Sequence, residues 1–267
     1  MRLETCDTTS STNSDALAAA RAGQKGLLWI TARHQTAGRG RLGRTWDSPP
    51  GNLYASLLLT EPSPPERAPE LSFVAALAVH DALATVADPS GERLALKWPN
   101  DVLLDGAKVA GVLIEAEAAV DRPLAIVVGI GINCTRHPVG TPYPATDLAA
   151  AGVAATAEQV FTALSGAMVH RLAQWDRGRN FAAVRADWLA RAASLGETIR
   201  VVLPGRTLKG RFETVDAFGR LILLSAGDKR EIVAAGDVFG ALPSSARRRL
   251  LPENPGGDKG PRIHRRR

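Results

Sequence analysis

The residues best suited to chemistry lie in Gly38-Arg39-Gly40-Arg41-Leu42-Gly43-Arg44, where arginines alternate with glycines. Like charges this close repel, so the stretch calls for an anion, and a guanidinium suits two-pronged contact with carboxylate or phosphate. Glycine lets the backbone turn tightly and approach a ligand. The plain alternative is a solvated basic loop, and the stretch alone does not separate the two. A second candidate is Lys108, which enters the apolar run Val109-Ala110-Gly111-Val112-Leu113-Ile114. An ammonium there needs an anionic counterpart. Lys97, at the end of another apolar run, reads instead as an ion-pair partner.

Gly38, Gly40 and Gly43 also satisfy the dinucleotide pattern G-x-G-x-x-G, with Glu61 near the distance expected of a ribose-binding acid. That motif works by seating a pyrophosphate on the helix that follows. Here Thr45-Trp46-Asp47-Ser48-Pro49-Pro50-Gly51 follows, and its prolines and glycine forbid such a helix. No Walker A loop is present. Cys6 and Cys134 have neither metal nor redox spacing, which points to a reducing compartment.

The elements that must position these residues follow from periodicity. Residues 26–32 predict a buried strand leading into the arginine loop, and 53–60 the next strand. Residues 10–23 predict a helix with Thr12 as N-cap, Asp15 completing an imperfect capping box and Gly23 at C′. Capping would account for at least one of Ser11, Thr12 and Asn13, yet a helix N-terminus is also a polar pocket ready for a ligand. A Pro-rich loop at 62–69 precedes a long core helix at 70–87, and a strand at 94–98 is broken by Pro99-Asn100-Asp101. Strands at 102–104 and 108–114 flank Asp105-Gly106, a hairpin turn signal. A buried strand at 124–132 carries Gly129 and Gly131, and glycines within a strand mark close approach of a ligand or backbone.

An irregular loop at 134–146 and helices at 156–175 and 180–193 complete the larger part. Short alternating strands at 199–203, 207–215, 221–225 and 229–234 predict a small β-barrel with its own core. The expected domains are residues 1–194, 195–242 and a basic, disordered tail at 243–267.

Length bounds this at one large domain plus a small one, and 45% hydrophobic residues is ordinary for a globular chain of 267 residues. The formal charge is +6, but from Arg247 onward eight basic and two acidic residues carry all of it. Residues 1–246 then hold 25 of each sign, so the folded body offers no basic nucleic-acid face. No apolar run suggests a membrane span and no signal peptide opens the chain, so the cytoplasm is expected.

The arginine loop, Lys97-Trp98-Pro99-Asn100-Asp101, Lys108-Val109-Ala110-Gly111 and Gly129-Ile130-Gly131-Ile132-Asn133 follow Ser11-Thr12-Asn13 in one order. Together they strongly resemble the biotin protein ligase (biotin–acetyl-CoA-carboxylase ligase) family over roughly residues 5–240. The combination is specific where each piece is not. The resemblance implies an α+β fold: a mixed sheet flanked by helices, related to class II aminoacyl-tRNA synthetases, then an SH3-like barrel. It implies that biotin and ATP with Mg2+ give biotinyl-AMP and pyrophosphate. The biotinyl group then passes to a lysine of a biotin carboxyl carrier domain.

Carried over by position, Ser11, Thr12, Asn13 and Gln35 would bond the ureido ring. Gly38 and the backbone of Arg39, Gly40 and Arg41 would lie over the biotin carboxylate and the phosphate. Lys108 would be the electrostatic catalyst, with Arg39, Arg41 and Asp101 beside it. Gly111, Gly129 and Gly131 would leave room for biotin. Arg44, Trp46, Asn100 and Asn133 would serve the nucleotide with Arg41 and Lys108. Metal ligands are not assigned, and a homodimer is compatible with the family.

Members that repress biotin genes carry an N-terminal winged helix, whereas about ten residues precede Ser11 here. The enzyme-only type, without sequence-specific DNA binding, is therefore expected. Two other readings share the fold. A lipoate–protein ligase would carry a different glycine-rich signature, and a non-catalytic biotin-binding module would not need Lys108 and the arginines.

Overall fold

Alternating and fully apolar runs build two sheets in the computed structural model, which describes residues 2–240 apart from 89, 91, 120 and 121. The strands β1 (Arg2–Thr9), β2 (Leu28–Gln35), β3 (Leu53–Thr60), β4 (Leu94–Lys97), β5 (Asp101–Leu104), β6 (Ala107–Ala119) and β7 (Arg122–Ile132) form the larger sheet. Their spatial order is β1-β2-β3-β7-β6-β5-β4. Only β1 and β2 run parallel, so the sheet is mixed, as expected.

On one face lies α1 (Thr12–Arg21), whose Ala16 packs with Leu28, Ile30, Leu58, Ala125 and Val127. The opposite face carries α2 (Leu71–Ala87), α3 (Ala157–Trp175) and α4 (Phe181–Leu189). Helix α2 is buried almost all round, which explains a sequence nearly without polar residues. Arg171 of α3 bonds Asp81 of α2 and Asp187 of α4 at 2.6 and 2.5 Å, tying the three helices. Burial alone would raise the Asp81 pKa, but the adjacent His80 and the Arg171 guanidinium outweigh it and hold the carboxyl down at about 2.

The strands β8 (Thr198–Leu203), β9 (Arg206–Val215), β10 (Leu221–Leu224), β11 (Arg230–Val233) and β12 (Asp237–Gly240) form an antiparallel sheet ordered β11-β10-β9-β8-β12. It does not have a separate core. Ile199, Phe212, Val215, Leu221 and Leu223 belong to one apolar cluster with Trp98, Phe73 and Trp188.

Several local expectations change. The N-cap of α1 is Ser11, not Thr12, and no side-chain cap bond forms. Thr12 is instead turned toward Gln35 and Ser56. Gly23 does close the helix, at φ +81°. The helix expected to reach residue 193 ends at Leu189, because Arg191 and Ala193 bond Leu96 and join the edge of β4. The turn Asp105-Gly106 has φ of +51° and +77°, as a two-residue hairpin requires.

Strand β1 was not legible because it is an exposed edge lacking alternation, and β12 is only four residues long. A helical stretch over residues 65–87 is long enough to cross a membrane, and an 18-residue window of it has mean hydropathy 1.4, although charged residues interrupt it. That stretch is 67% buried within the fold, where α2 is a core helix. The tail expected to be disordered lies outside the described residues.

Candidate active site

Strand register decides what faces the site. Ile30 pairs Ser56, Ser56 pairs Gly129 and Gly129 pairs Leu113, forming one row across the sheet. Ala32, Tyr54, Gly131 and Gly111 form the next row on the same face. Three of these positions lack a side chain, so the sheet is bared to what lies over it. A Cβ on Gly129 would run into Asn13 Oδ1, and one on Gly131 would meet Trp46 Cε2 at 2.5 Å. Above this floor is a cavity of about 380 Å³, walled by the start of α1, the arginine loop, the 97–101 turn, Tyr143 and residues 236–239.

One end of the cavity is neutral and polar. Thr12 donates to Gln35 Oε1 from its backbone N at 2.9 Å and its hydroxyl at 3.1 Å. Ser56 Oγ donates toward Thr12 Oγ1 and Asn13 Oδ1, at 2.7 and 2.5 Å. Gln35 Nε2 donates to Ser48 Oγ at 3.0 Å. Asn13 Nδ2 donates at 2.6 Å to Glu115 of β6, which also pairs with Arg39 at 2.9 Å. Ser11, Thr12, Asn13 and Ser56 are all buried. This is a set of amides and hydroxyls organised before any ligand arrives.

The other end is cationic. Lys108 Nζ lies 2.6 Å from Asp101 Oδ1, and Lys97 Nζ lies 3.5 Å from Asp101 Oδ2. The Lys108 ammonium also sits 5.3 Å from the Trp46 ring and 5.4 Å from the Tyr143 ring. Such contacts favour a partly dehydrated cation. Arg41 donates to Asn100 Oδ1 at 3.1 Å, and Asn100 Nδ2 donates to Val112 O at 2.5 Å. Burial pulls the Arg41 guanidinium below its usual pKa, against the opposing pull of Asp101 and Asp237. Arg44 pairs with Asp237 of β12, whose carboxyl is thereby held below the ordinary carboxylate range.

The arginine loop closes on itself. Arg39 bridges Thr45, Gly40 N donates to Arg44 O at 2.7 Å, and Trp46 N donates to Gly38 O at 2.9 Å. Leu42 and Gly43 turn it with φ of +57° and +72°. The Trp46 indole lies over Gly111 and Gly131, and its Nε1 is buried without a partner among the described residues.

Of the residues singled out in the sequence, Ser11, Thr12, Asn13, Gln35, Arg39, Gly40, Arg41, Arg44, Trp46, Asn100, Asp101, Lys108, Gly111, Gly129 and Gly131 all line this one cavity. Gly38 and Asn133 do not. Gly38 packs behind the loop, where a Cβ would meet Ser48 Oγ at 2.5 Å. The Asn133 amide donates to Thr146 O at 3.0 Å and holds the 134–146 loop.

Residues not foreseen are Ser56, Glu115, Tyr143, Asp237 and Phe239. A serine inside the apolar run of β3 and a glutamate two positions past Leu113 on the glycine face of β6 were the available signals. The other three had none. Cys134, whose thiol burial pushes up to about 11, has no nucleophilic role here.

Comparison with known proteins agrees with this geometry. Residues 6–133 match the biotin/lipoate A/B protein ligase family and residues 194–239 the biotin protein ligase C-terminal domain. A biotin–acetyl-CoA-carboxylase ligase of Paracoccus denitrificans is 42% identical over 86% of this chain and 97% of its own length. One from Mycobacterium tuberculosis is 38% identical over 89% of this chain and 88% of its own. The solved structure of Aquifex aeolicus biotin protein ligase in complex with biotin and ATP superposes with a TM-score of 0.76. It is 25% identical and covers 90% of this chain and 99% of that one. A bared glycine floor between a polar and a cationic end, on a chain with these relatives, places the protein in the biotin protein ligase family.

Proposed function

We infer that the chain is an ATP-dependent biotin protein ligase that forms biotinyl-AMP and transfers biotin to a lysine of a biotin carboxyl carrier domain. The observation that carries this is the polarity of the cavity. Its neutral end, Ser11, Thr12, Asn13 and Gln35, suits a ureido ring, which has two N–H donors and one carbonyl acceptor. Its cationic end, Lys108, Arg41 and Arg44, suits a carboxylate meeting a phosphate.

In the first step a biotin carboxylate oxygen attacks the α-phosphorus, and the bond to pyrophosphate breaks. Two anions must be forced together, so Lys108, fixed by Asp101, stabilises the charge that builds between them. Arg41 and the loop backbone hold the same group in line. In the second step the carrier amine attacks the activated carbonyl, an amide forms and AMP leaves. No protein nucleophile is required. Trp46 walls the site over Gly131, and Arg44 with Asn100 serves the nucleotide.

Among the described residues no group of three or more His, Cys, Asp or Glu gathers to hold a metal. A Mg2+ brought in by ATP would need only one or two carboxylates from the protein besides the substrate phosphates. The Asp101 carboxylate, which lines the cavity, would supply the protein's share, and the ion would neutralise phosphate charge.

Pyrophosphate exchange into ATP tests the assignment with biotin and lipoate supplied separately. A dithiolane ring has no N–H or carbonyl, so it would leave the neutral end unpaired. A site built for hydrogen bonds rejects such an analogue by about 10⁴-fold. Exchange that follows lipoate and ignores biotin would overturn the assignment.

A further inference from the structure

Glu115 is not part of the cavity wall, yet it touches two residues that are. It stands on the glycine face of β6, paired in register with Val127. Its carboxylate accepts from Asn13 Nδ2 at 2.6 Å and from Arg39 at 2.9 Å. Arg39 also donates to Ser14 Oγ at 2.8 Å, so the start of the arginine loop is fastened to both β6 and α1.

The chemistry of the first contact is directional. An ionised carboxylate only accepts, so the end of the Asn13 amide that faces it must be the NH2. Oδ1 is thereby turned toward Ser56 Oγ, at 2.5 Å, and over Gly129, where a Cβ would collide with it. The two ends of a carboxamide are nearly equal in shape, so packing alone does not choose between them. Reversing Asn13 would set oxygen against carboxylate.

We propose that Glu115 is a positioning residue for biotin: it holds Asn13 with its oxygen toward the cavity and anchors the first loop arginine. This rests on the biotin reading of the site. An inward oxygen accepts from a ureido N–H, whereas an inward NH2 would confront it donor to donor. Glu115→Gln keeps the shape but can offer its own NH2 to Asn13, allowing the amide to turn, and it loses the charge held by Arg39. Asn13→Asp sets two carboxylates against each other. The double variant Asn13→Asp with Glu115→Gln restores a donor–acceptor pair of reversed polarity and again leaves an oxygen inward.

Pyrophosphate exchange measured against biotin concentration, with thermal unfolding in parallel, decides the matter. Glu115→Gln should raise the KM for biotin about tenfold or more, the loss of one directed hydrogen bond. Its kcat at saturating biotin and its KM for ATP should stay within about twofold. Asn13→Asp should lose more, and adding Glu115→Gln to it should lower the KM for biotin at least about tenfold from that single variant. A structural role alone would lower Tm and kcat together and show no such rescue. An unchanged KM for biotin in Glu115→Gln, or no rescue in a folded double variant, overturns the proposal, and either readout suffices if one variant does not fold. A wild-type enzyme that ignores biotin would sink the assigned function instead.

Discussion

Lys108 shows how one side chain can be made ready before its substrate arrives. An ammonium only 14% exposed would be costly alone, but Asp101 at 2.6 Å and two aromatic faces compensate. The anion demanded by the sequence is thus supplied by the protein itself, and under the proposed mechanism a carboxylate and phosphate would take over. Because its charge matters most where those anions are forced together, Lys108→Ala should act on kcat more than on KM. Losing one such group costs about 10²–10³ in kcat. Steady-state pyrophosphate exchange would show it, and a change confined to the KM for biotin would remove Lys108 from catalysis. Lys108→Arg should not restore the rate, since a planar fork cannot replace a point charge between Trp46 and Tyr143.

Elements decide what such residues meet. The arginine loop is a self-bonded turn pinned at Glu115, Asn100 and Asp237, so its cations are spaced by partners rather than repelling freely. If the loop lies over the intermediate as proposed, it would exclude water from a reactive anhydride. Arg41→Gly removes a charge-assisted contact of about 1.5–3 kcal/mol, hence roughly tenfold to hundredfold faster loss of biotinyl-AMP. Such a variant should still make the intermediate but label lysines on unrelated proteins. Incubation with ATP, biotin and albumin tests this, and equal, negligible labelling by wild type and by a variant that still makes biotinyl-AMP normally would rule out retention by Arg41. The loop, Lys108 and the strand glycines were legible because glycine and charge inside apolar strands are local departures from pattern. Glu115, Asp237, Phe239 and Tyr143 were not, because their importance comes from pairing register and from elements far apart in the chain. Thr12 was misread as a cap for the same reason: its partners Gln35 and Ser56 lie on other strands.

At the scale of the whole molecule, the C-terminal sheet is part of the site as well as a neighbour of it. Asp237 holds Arg44, and Phe239 lies 5.9 Å from Lys97 Nζ. Trp98, in the turn that carries Asn100 and Asp101, donates its indole N–H to Gly219 O at 3.0 Å. Gly219 itself packs so closely that a Cβ would sit 2.8 Å from the Phe73 ring of α2. Arg185 of α4 reaches across to Val215 O and Thr214. Phe212, Val215, Leu221 and Leu223 lie in the same apolar cluster as α2 and α4. Burying each such side chain is worth about 1.5–3 kcal/mol, against about 5–15 kcal/mol of net stability for a whole domain. Neither part can therefore lose the other and keep its margin, and the two should unfold as one. Thermal melting followed by tryptophan fluorescence, with Trp98 and Trp188 both in the shared cluster, should coincide with melting followed by far-ultraviolet circular dichroism. Two separated transitions, with the tryptophan signal unchanged in the first, would show that the C-terminal sheet is an independent unit.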